Sequence, residues 1–150
     1  MRKLSNNFQI NMNSLTVLLF CAGVIAAING AVLNPAAQYQ KFSNECKSST
    51  NTDEKEIEKI FNGDPIEANV VGDHVLCIFN KFNIENDNGD IDQEKFRKAL
   101  AVFTPEHDKH DLVLKNCLVK KGATPQEVAV ELVKCTRNYV TLLRPNANAV

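Results

Sequence analysis

The sequence predicts an all-α fold, a compact bundle of about six short helices, and three observations carry that prediction. Beyond position 30, apolar residues recur at intervals of three and four, the period of a helix with one buried face. Helix-start signals and glycine or asparagine stops alternate at short intervals. No segment shows the strict apolar–polar alternation of a half-buried strand.

The first helix opens at Asn34-Pro35, a capping side chain before a proline at the first helical position, and Tyr39, Phe42 and Cys46 share its apolar face. Asp53 with Glu56 forms a box-like pair that opens the second, striped by Ile57, Ile60 and Phe61 and stopped by Gly63. Asp64-Pro65-Ile66-Glu67 starts the third, where Val71, Val75, Ile78, Phe79 and Phe82 make the stripe and Cys77 lies beside it. The Asn86-Asp87-Asn88-Gly89 turn ends it, and Asp90 with Gln93 opens the fourth, striped by Phe96, Ala99, Leu100 and Phe103. A fifth helix starts between Thr104 and Asp108, carries Val113, Leu114, Cys117 and Leu118, and stops at Lys120-Lys121-Gly122. Thr124-Pro125-Gln126-Glu127 starts the sixth, down which run Val128, Leu132, Cys135, Thr136, Tyr139 and Leu143.

A leader precedes this domain. Arg2 and Lys3 give a basic start, Leu15 to Ile28 form an apolar run of 14 residues, and Asn29, Gly30 and Ala31 suit a peptidase. The run is short of the roughly 18 residues that a spanning helix needs, so residues 1–30 are expected to be a signal peptide, with Cys21 leaving in it. No membrane insertion is expected of the 120 residues 31–150, which form one domain and a secreted, extracellular product. They carry 15 basic and 18 acidic side chains, a net charge of −3 with the signs scattered. That distribution offers no basic stripe for nucleic acid or anionic lipid.

Four cysteines remain, Cys46, Cys77, Cys117 and Cys135, separated by 30, 39 and 17 residues, and each lies on or beside an apolar stripe. An even set behind a secretory leader implies bridges, although sequence alone allows three pairings. Spacing, helix placement and leader together resemble the insect odorant-binding proteins, the pheromone-binding and general odorant-binding family, across essentially the whole mature chain. Members with six cysteines have three residues between the second and third and eight between the fifth and sixth. Counting back from Cys77 and Cys135 places the missing second and fifth at Asp73 and Gln126, so the chain resembles the four-cysteine, minus-C type. The resemblance implies two disulfides, Cys46 with Cys77 and Cys117 with Cys135. It also implies that the elements a third bridge would tie are freer to move apart, with a more adaptable pocket and broader ligand tolerance.

Short amphipathic helices that enclose more apolar surface than they fill leave a hydrophobic cavity, which takes a small apolar ligand out of water. At about 25 cal/mol per Å² of apolar area, a chain of roughly ten to sixteen carbons reaches micromolar affinity after ordering costs. The resemblance thus implies a carrier of odorants, pheromones or other semiochemicals through extracellular fluid. A non-olfactory carrier in haemolymph or reproductive secretions, or a helical interaction module with a filled core, are the alternatives. A chemosensory receptor or a second copy of the chain are further candidate partners.

Candidate wall residues are the bulky stripe positions of helices three to six: Val75, Phe79, Phe82, Phe96, Leu100, Phe103, Val113, Leu114, Leu118, Val128, Leu132 and Tyr139. Leu142 and Leu143 join them from the segment that caps or enters the pocket in some relatives, before Arg144-Pro145 and a frayed 146–150 end. Tyr139 and Thr136 are the candidate polar handles, the phenol being the better one.

Competing chemistries fail on their residues. Ile84 to Ile91 places Gly89 and Ile91 as an EF-hand would, but Ile84 stands where an acid is needed and Lys95 where the bidentate glutamate belongs. His107 and His110 near Asp108 and Asp111 read as a solvated helix start before they read as a metal site, and a histidine-driven release in acid is an expectation by resemblance. No serine–histidine–acid triad or phosphate loop is legible, and no mature thiol is left over. Neither catalysis nor a cofactor is expected.

Overall fold

A computed structural model describes residues 34–145, so the leader 1–30 and the terminal 146–150 lie outside the described residues. Six α-helices follow in order: α1 Pro35–Thr50, α2 Glu54–Asn62, α3 Ala68–Lys81, α4 Gln93–Phe103, α5 His110–Cys117 and α6 Pro125–Arg137. One turn of 3₁₀-helix, His107–Lys109, leads into α5, and the pairing outside helices is an isolated antiparallel bridge between Glu85 and Ile91 among the described residues. The all-α expectation holds.

Local chemistry explains three of the helix starts. Asn34 accepts from the Ala36 N–H at 3.0 Å, with Pro35 in the first turn of α1. Asp53 accepts from the Lys55 N–H at 2.8 Å, and Gly63 ends α2 at φ 82°, a conformation that costs glycine little. At α6 the full capping box forms: Thr124 accepts from the Glu127 N–H at 3.2 Å while the Glu127 carboxylate accepts from the Thr124 N–H at 3.3 Å.

Three helix ends differ from expectation: α3 stops at Lys81, ahead of Phe82 and the Asn86–Gly89 turn, α5 begins at His110 after the 3₁₀ turn, and α6 stops at Arg137, so Tyr139 and Leu143 lie beyond it. Two further starts and one further stop differ for a tertiary reason. α3 begins at Ala68 rather than at Asp64-Pro65, because the extended segment 64–67 buries Ile66 to 3% exposure against α3 and α6. The Asp64 carbonyl accepts instead from Arg137 Nη2 at 2.7 Å. α4 is capped by Asp92, which accepts from the Lys95 N–H at 2.9 Å, because Ile91 is held in the bridge to Glu85 and cannot turn into a helix. α5 ends at Cys117, ahead of Lys120-Lys121-Gly122. Lys120 reaches across to the Asn88 carbonyl and to Asp90, tying that loop to the turn before α4.

Both bridges link helices in the pairing that the resemblance implied. Cys46–Cys77 joins α1 to α3 with Cα atoms 5.7 Å apart, and Cys117–Cys135 joins α5 to α6 at 5.5 Å. α3 and α6 form the most extensive helix pair. Gly72 permits it, since a Cβ there would stand 2.8 Å from the Gln126 Cβ.

Three apolar clusters build the core. Ile84, Phe96, Leu100, Val113, Leu114, Cys117, Leu132 and Val140 fill the space among α4, α5 and α6. A second, from Ile60 and Ile66 to Val133, joins α2, α3 and α6, and a third joins Tyr39 and Cys46 of α1 to Ile78 of α3. Phe79 packs against all three, at the point where they meet.

Candidate functional site

An apolar cavity of about 80 Å³ lies where the clusters converge. Phe79 reaches it from α3 with Val75 and Ile78, Phe96 and Leu100 from α4, Tyr39 from α1, Ile60 and Phe61 from α2, and Val133 from α6. Aromatic edges brace one wall: Tyr39 meets Phe103 with ring centroids at 5.0 Å and Phe61 at 6.1 Å, both T-shaped.

Of the residues expected from the sequence, Val75, Phe79, Phe96, Leu100, Phe103 and Leu142 line this cavity. Val113, Leu114 and Leu132 are packed in the filled cluster of α4 to α6, with Leu118 and Tyr139 against its flank. Phe82 lies one helical turn past Phe79 and stacks edge-on with Phe42 at 5.1 Å, outside the cavity lining. Val128 is buried beside Gly89, and Leu143 is half exposed. Thr136 reaches the cavity, with its hydroxyl donating to the Leu132 carbonyl at 2.7 Å.

The wall also includes Tyr39, Ile60, Phe61, His74, Ile78, Ile84, Ala99 and Val133. Tyr39, Ile60 and Phe61 stand on the apolar stripes of the first two helices, so their signal was present in helices outside the candidate set. His74 lies between Val71 and Ile78 at helical spacing, and a polar residue on an apolar stripe is the mark by which it is legible. Ile84 has no such mark, because it is carried in by the turn after α3.

The segment after α6 closes one side. Leu142 enters the wall, the Leu143 N–H donates to the Phe103 carbonyl at 2.7 Å, and Gln40 donates to the Pro145 carbonyl at 2.6 Å. The Arg144 guanidinium pairs with Glu54 and lies 5.9 Å from the centre of the Phe61 ring. Lys47 and Arg144 together hold the Glu54 carboxyl below the usual range.

Electrostatics inside the wall are quiet. His74 is 1% exposed and its burial pushes the imidazole down to about 4, with Glu54 opposing and Arg144 and Lys47 reinforcing the shift, so the ring is neutral near pH 7. Burial also raises the Tyr39 phenol, against a hydrogen bond with Ser43. His110 is held by Thr104 at 2.7 Å, and because the Thr104 hydroxyl already donates to the Leu100 carbonyl, His110 Nε2 is the donor. No group of three or more metal-ligating side chains converges among the described residues. No described helix is long and apolar enough to cross a membrane.

Residues 34–139 match the family described as PBP/GOBP. The chain is 29% identical over 93 residues to the B2 protein of Tenebrio molitor, covering 62% of this chain and 72% of that protein. It is 28% identical over 93 residues to the B1 protein of the same beetle, covering 62% and 71%. Among solved structures it is similar to odorant-binding protein dmelOBP28a from Drosophila melanogaster, with a TM-score of 0.57 over 69% of this chain and 89% of that one. At 16% identity that likeness is one of fold.

Proposed function

Because this chain belongs to the PBP/GOBP family, we propose that it is a secreted carrier that takes a small hydrophobic semiochemical into the cavity around Phe79 and delivers it through extracellular fluid. The observation that carries this reading is unfilled apolar space lined by five helices and the C-terminal segment. A filled core would serve an interaction module equally well; an unfilled one loses dispersion contacts and gains a function only when something occupies it. The four mature cysteines and their two bridges support the minus-C type, with Asp73 and Gln126 in place of the third bridge.

Cavity size bears on the ligand. At about 80 Å³ the space is below the roughly 300–1,000 Å³ of ordinary ligand pockets, so a chain of ten to sixteen carbons enters only as the wall yields. Phe79, partly exposed and shared by three clusters, and Leu142, on an irregular segment, are the side chains placed to move.

The test is a titration of oxidised, delipidated protein with a polarity-sensitive apolar fluorophore, followed by displacement with alcohols, aldehydes, esters, terpenoids and fatty acids. Saturable micromolar binding with competition supports the carrier. Absence of binding by protein with both bridges formed overturns it in favour of a surface-interaction role.

A further inference from the structure

We propose that His74 is the residue that selects ligands in this cavity, its Nδ1 hydrogen-bonding the oxygen of a neutral alcohol, aldehyde or ketone whose apolar remainder fills the space around Phe79. The proposal rests on the carrier reading and specifies the ligand's chemistry.

His74 is 1% exposed, lines the cavity, and its Nδ1 has no hydrogen-bond partner in the protein. An unpaired polar atom in an apolar interior is costly, and folded proteins rarely leave one without a use. Of the other polar side chains on the wall, Thr136 is engaged, its hydroxyl donating to the Leu132 carbonyl. Nδ1 is the fully buried polar side-chain atom of this wall that is left without a partner. It converts the cavity from a purely apolar volume to one with a single fixed point of recognition.

Charge narrows the class further. The wall contains no Lys or Arg, and the nearest cations, Lys47 and Arg144, are both paired with Glu54. A carboxylate head would be stripped of water with no counter-charge, and a cationic head would meet a ring that cannot compensate it. A hydrocarbon enters freely but leaves Nδ1 unpaired. A neutral oxygen satisfies it, a hydroxyl by donating to the bare nitrogen or a carbonyl by accepting from the protonated one, the tautomer following the ligand.

The experiment compares heptane, 1-hexanol and hexanal, which share one heavy-atom count, and hexanoate, as competitors of the apolar fluorophore at pH 7.5. Hexanol or hexanal is expected to compete about tenfold better than heptane or hexanoate with the wild-type protein. In His74→Leu that preference over heptane is lost or reversed, because the ligand oxygen is then buried without a partner, and His74→Gln recovers part of it. Persistence of the preference in His74→Leu, or its absence in the wild type, overturns the proposal and leaves the carrier reading standing; only loss of fluorophore binding by the wild type sinks both. Should His74→Leu fail to fold, the imidazole ¹⁵N resonances of the wild type decide: Nδ1 of His74 is expected to shift on addition of hexanol and not of heptane, and an unmoved resonance is equally fatal.

Discussion

Gln126 Nε2 donates to Asp73 Oδ1 at 3.0 Å. These are the two positions to which the sequence resemblance assigns the second and fifth cysteines of a six-cysteine pattern, and the hydrogen bond spans the α3–α6 junction. The junction is close as well as polar, because Gly72 lets the first turn of α6 approach the backbone of α3. In this chain a reversible contact and a tight glycine seam hold that junction. The helices are packed together, but parting Gln126 from Asp73 breaks no covalent bond.

Restoring the cysteines should make that junction permanent. Asp73→Cys with Gln126→Cys closes a loop of about 54 residues and, on the loop-entropy account, adds up to about 4 kcal/mol, less any strain. Ligand range should narrow at the same time, with long chains affected before short ones because they need the wall to move. Denaturant titration and a displacement series under oxidising conditions test both. A bridge that forms yet leaves stability and ligand range unchanged would remove the junction from any account of adaptability.

Gly72→Ala should destabilise although Gly72 lies inside a helix, where alanine is normally better by about 1 kcal/mol. The added Cβ would meet the Gln126 Cβ at 2.8 Å, an overlap whose relief costs about 1–3 kcal/mol in a packed seam. The net expectation is a loss of about 1 kcal/mol. A double-mutant cycle with Gln126→Gly, which removes the opposing Cβ, should show the loss largely recovered. A stabilised single variant would mean that α6 has room to retreat.

Thr124→Ala removes one half of the α6 capping box and should cost about 0.5–2 kcal/mol. The effect is local to the start of α6, so amide exchange at Glu127 and Val128 should accelerate more than at Leu132. Uniform acceleration along α6 would show that the box stabilises the whole molecule and not the helix end.

Helix starts were legible wherever one side chain could satisfy its own backbone, as at Asn34, Asp53 and Thr124. Asp64 and Asp90 carry the same local signal and do not cap, because Ile66 is claimed by the distant α6 and Ile91 by the bridge back to Glu85. The cavity was legible to a similar depth. Phe79 and Phe82 sit three residues apart on one stripe, yet one lines the cavity and the other packs against Phe42. Periodicity identifies the buried face of a helix. Which part of that face meets empty space is decided by how the helices cross, and no stripe records it.

Two buried groups set opposing pH dependences, and their separation is the most informative stability experiment. His74 is depressed from 6.5 to about 4, so the unfolded chain binds the proton more tightly; its contribution is complete above pH 6.5 and is lost as pH falls through about 4. Burial of His110 depresses it too, which adds the same sign. Glu85 is raised from 4.5 to about 7 by burial, with neither carboxyl oxygen hydrogen-bonded. There the folded chain binds the proton more tightly, so its contribution is complete below pH 4.5 and is lost as pH rises through about 7. Between pH 5 and 7 the His74 and Glu85 slopes run against each other at about 1.4 kcal/mol per unit each, so the wild-type protein should vary with pH less than either single variant does. Glu85→Gln should expose the histidine slope, gaining about 2 kcal/mol from pH 5 to pH 7, and should be more stable than wild type at pH 7.5. His74→Gln should reverse the sign and lose stability as pH rises. Urea titrations at pH 5, 6 and 7.5 read all three proteins; a Glu85→Gln variant no more stable than wild type at pH 7.5 would mean that the carboxyl finds water or a partner as it ionises, and the balance of the two groups would fail with it.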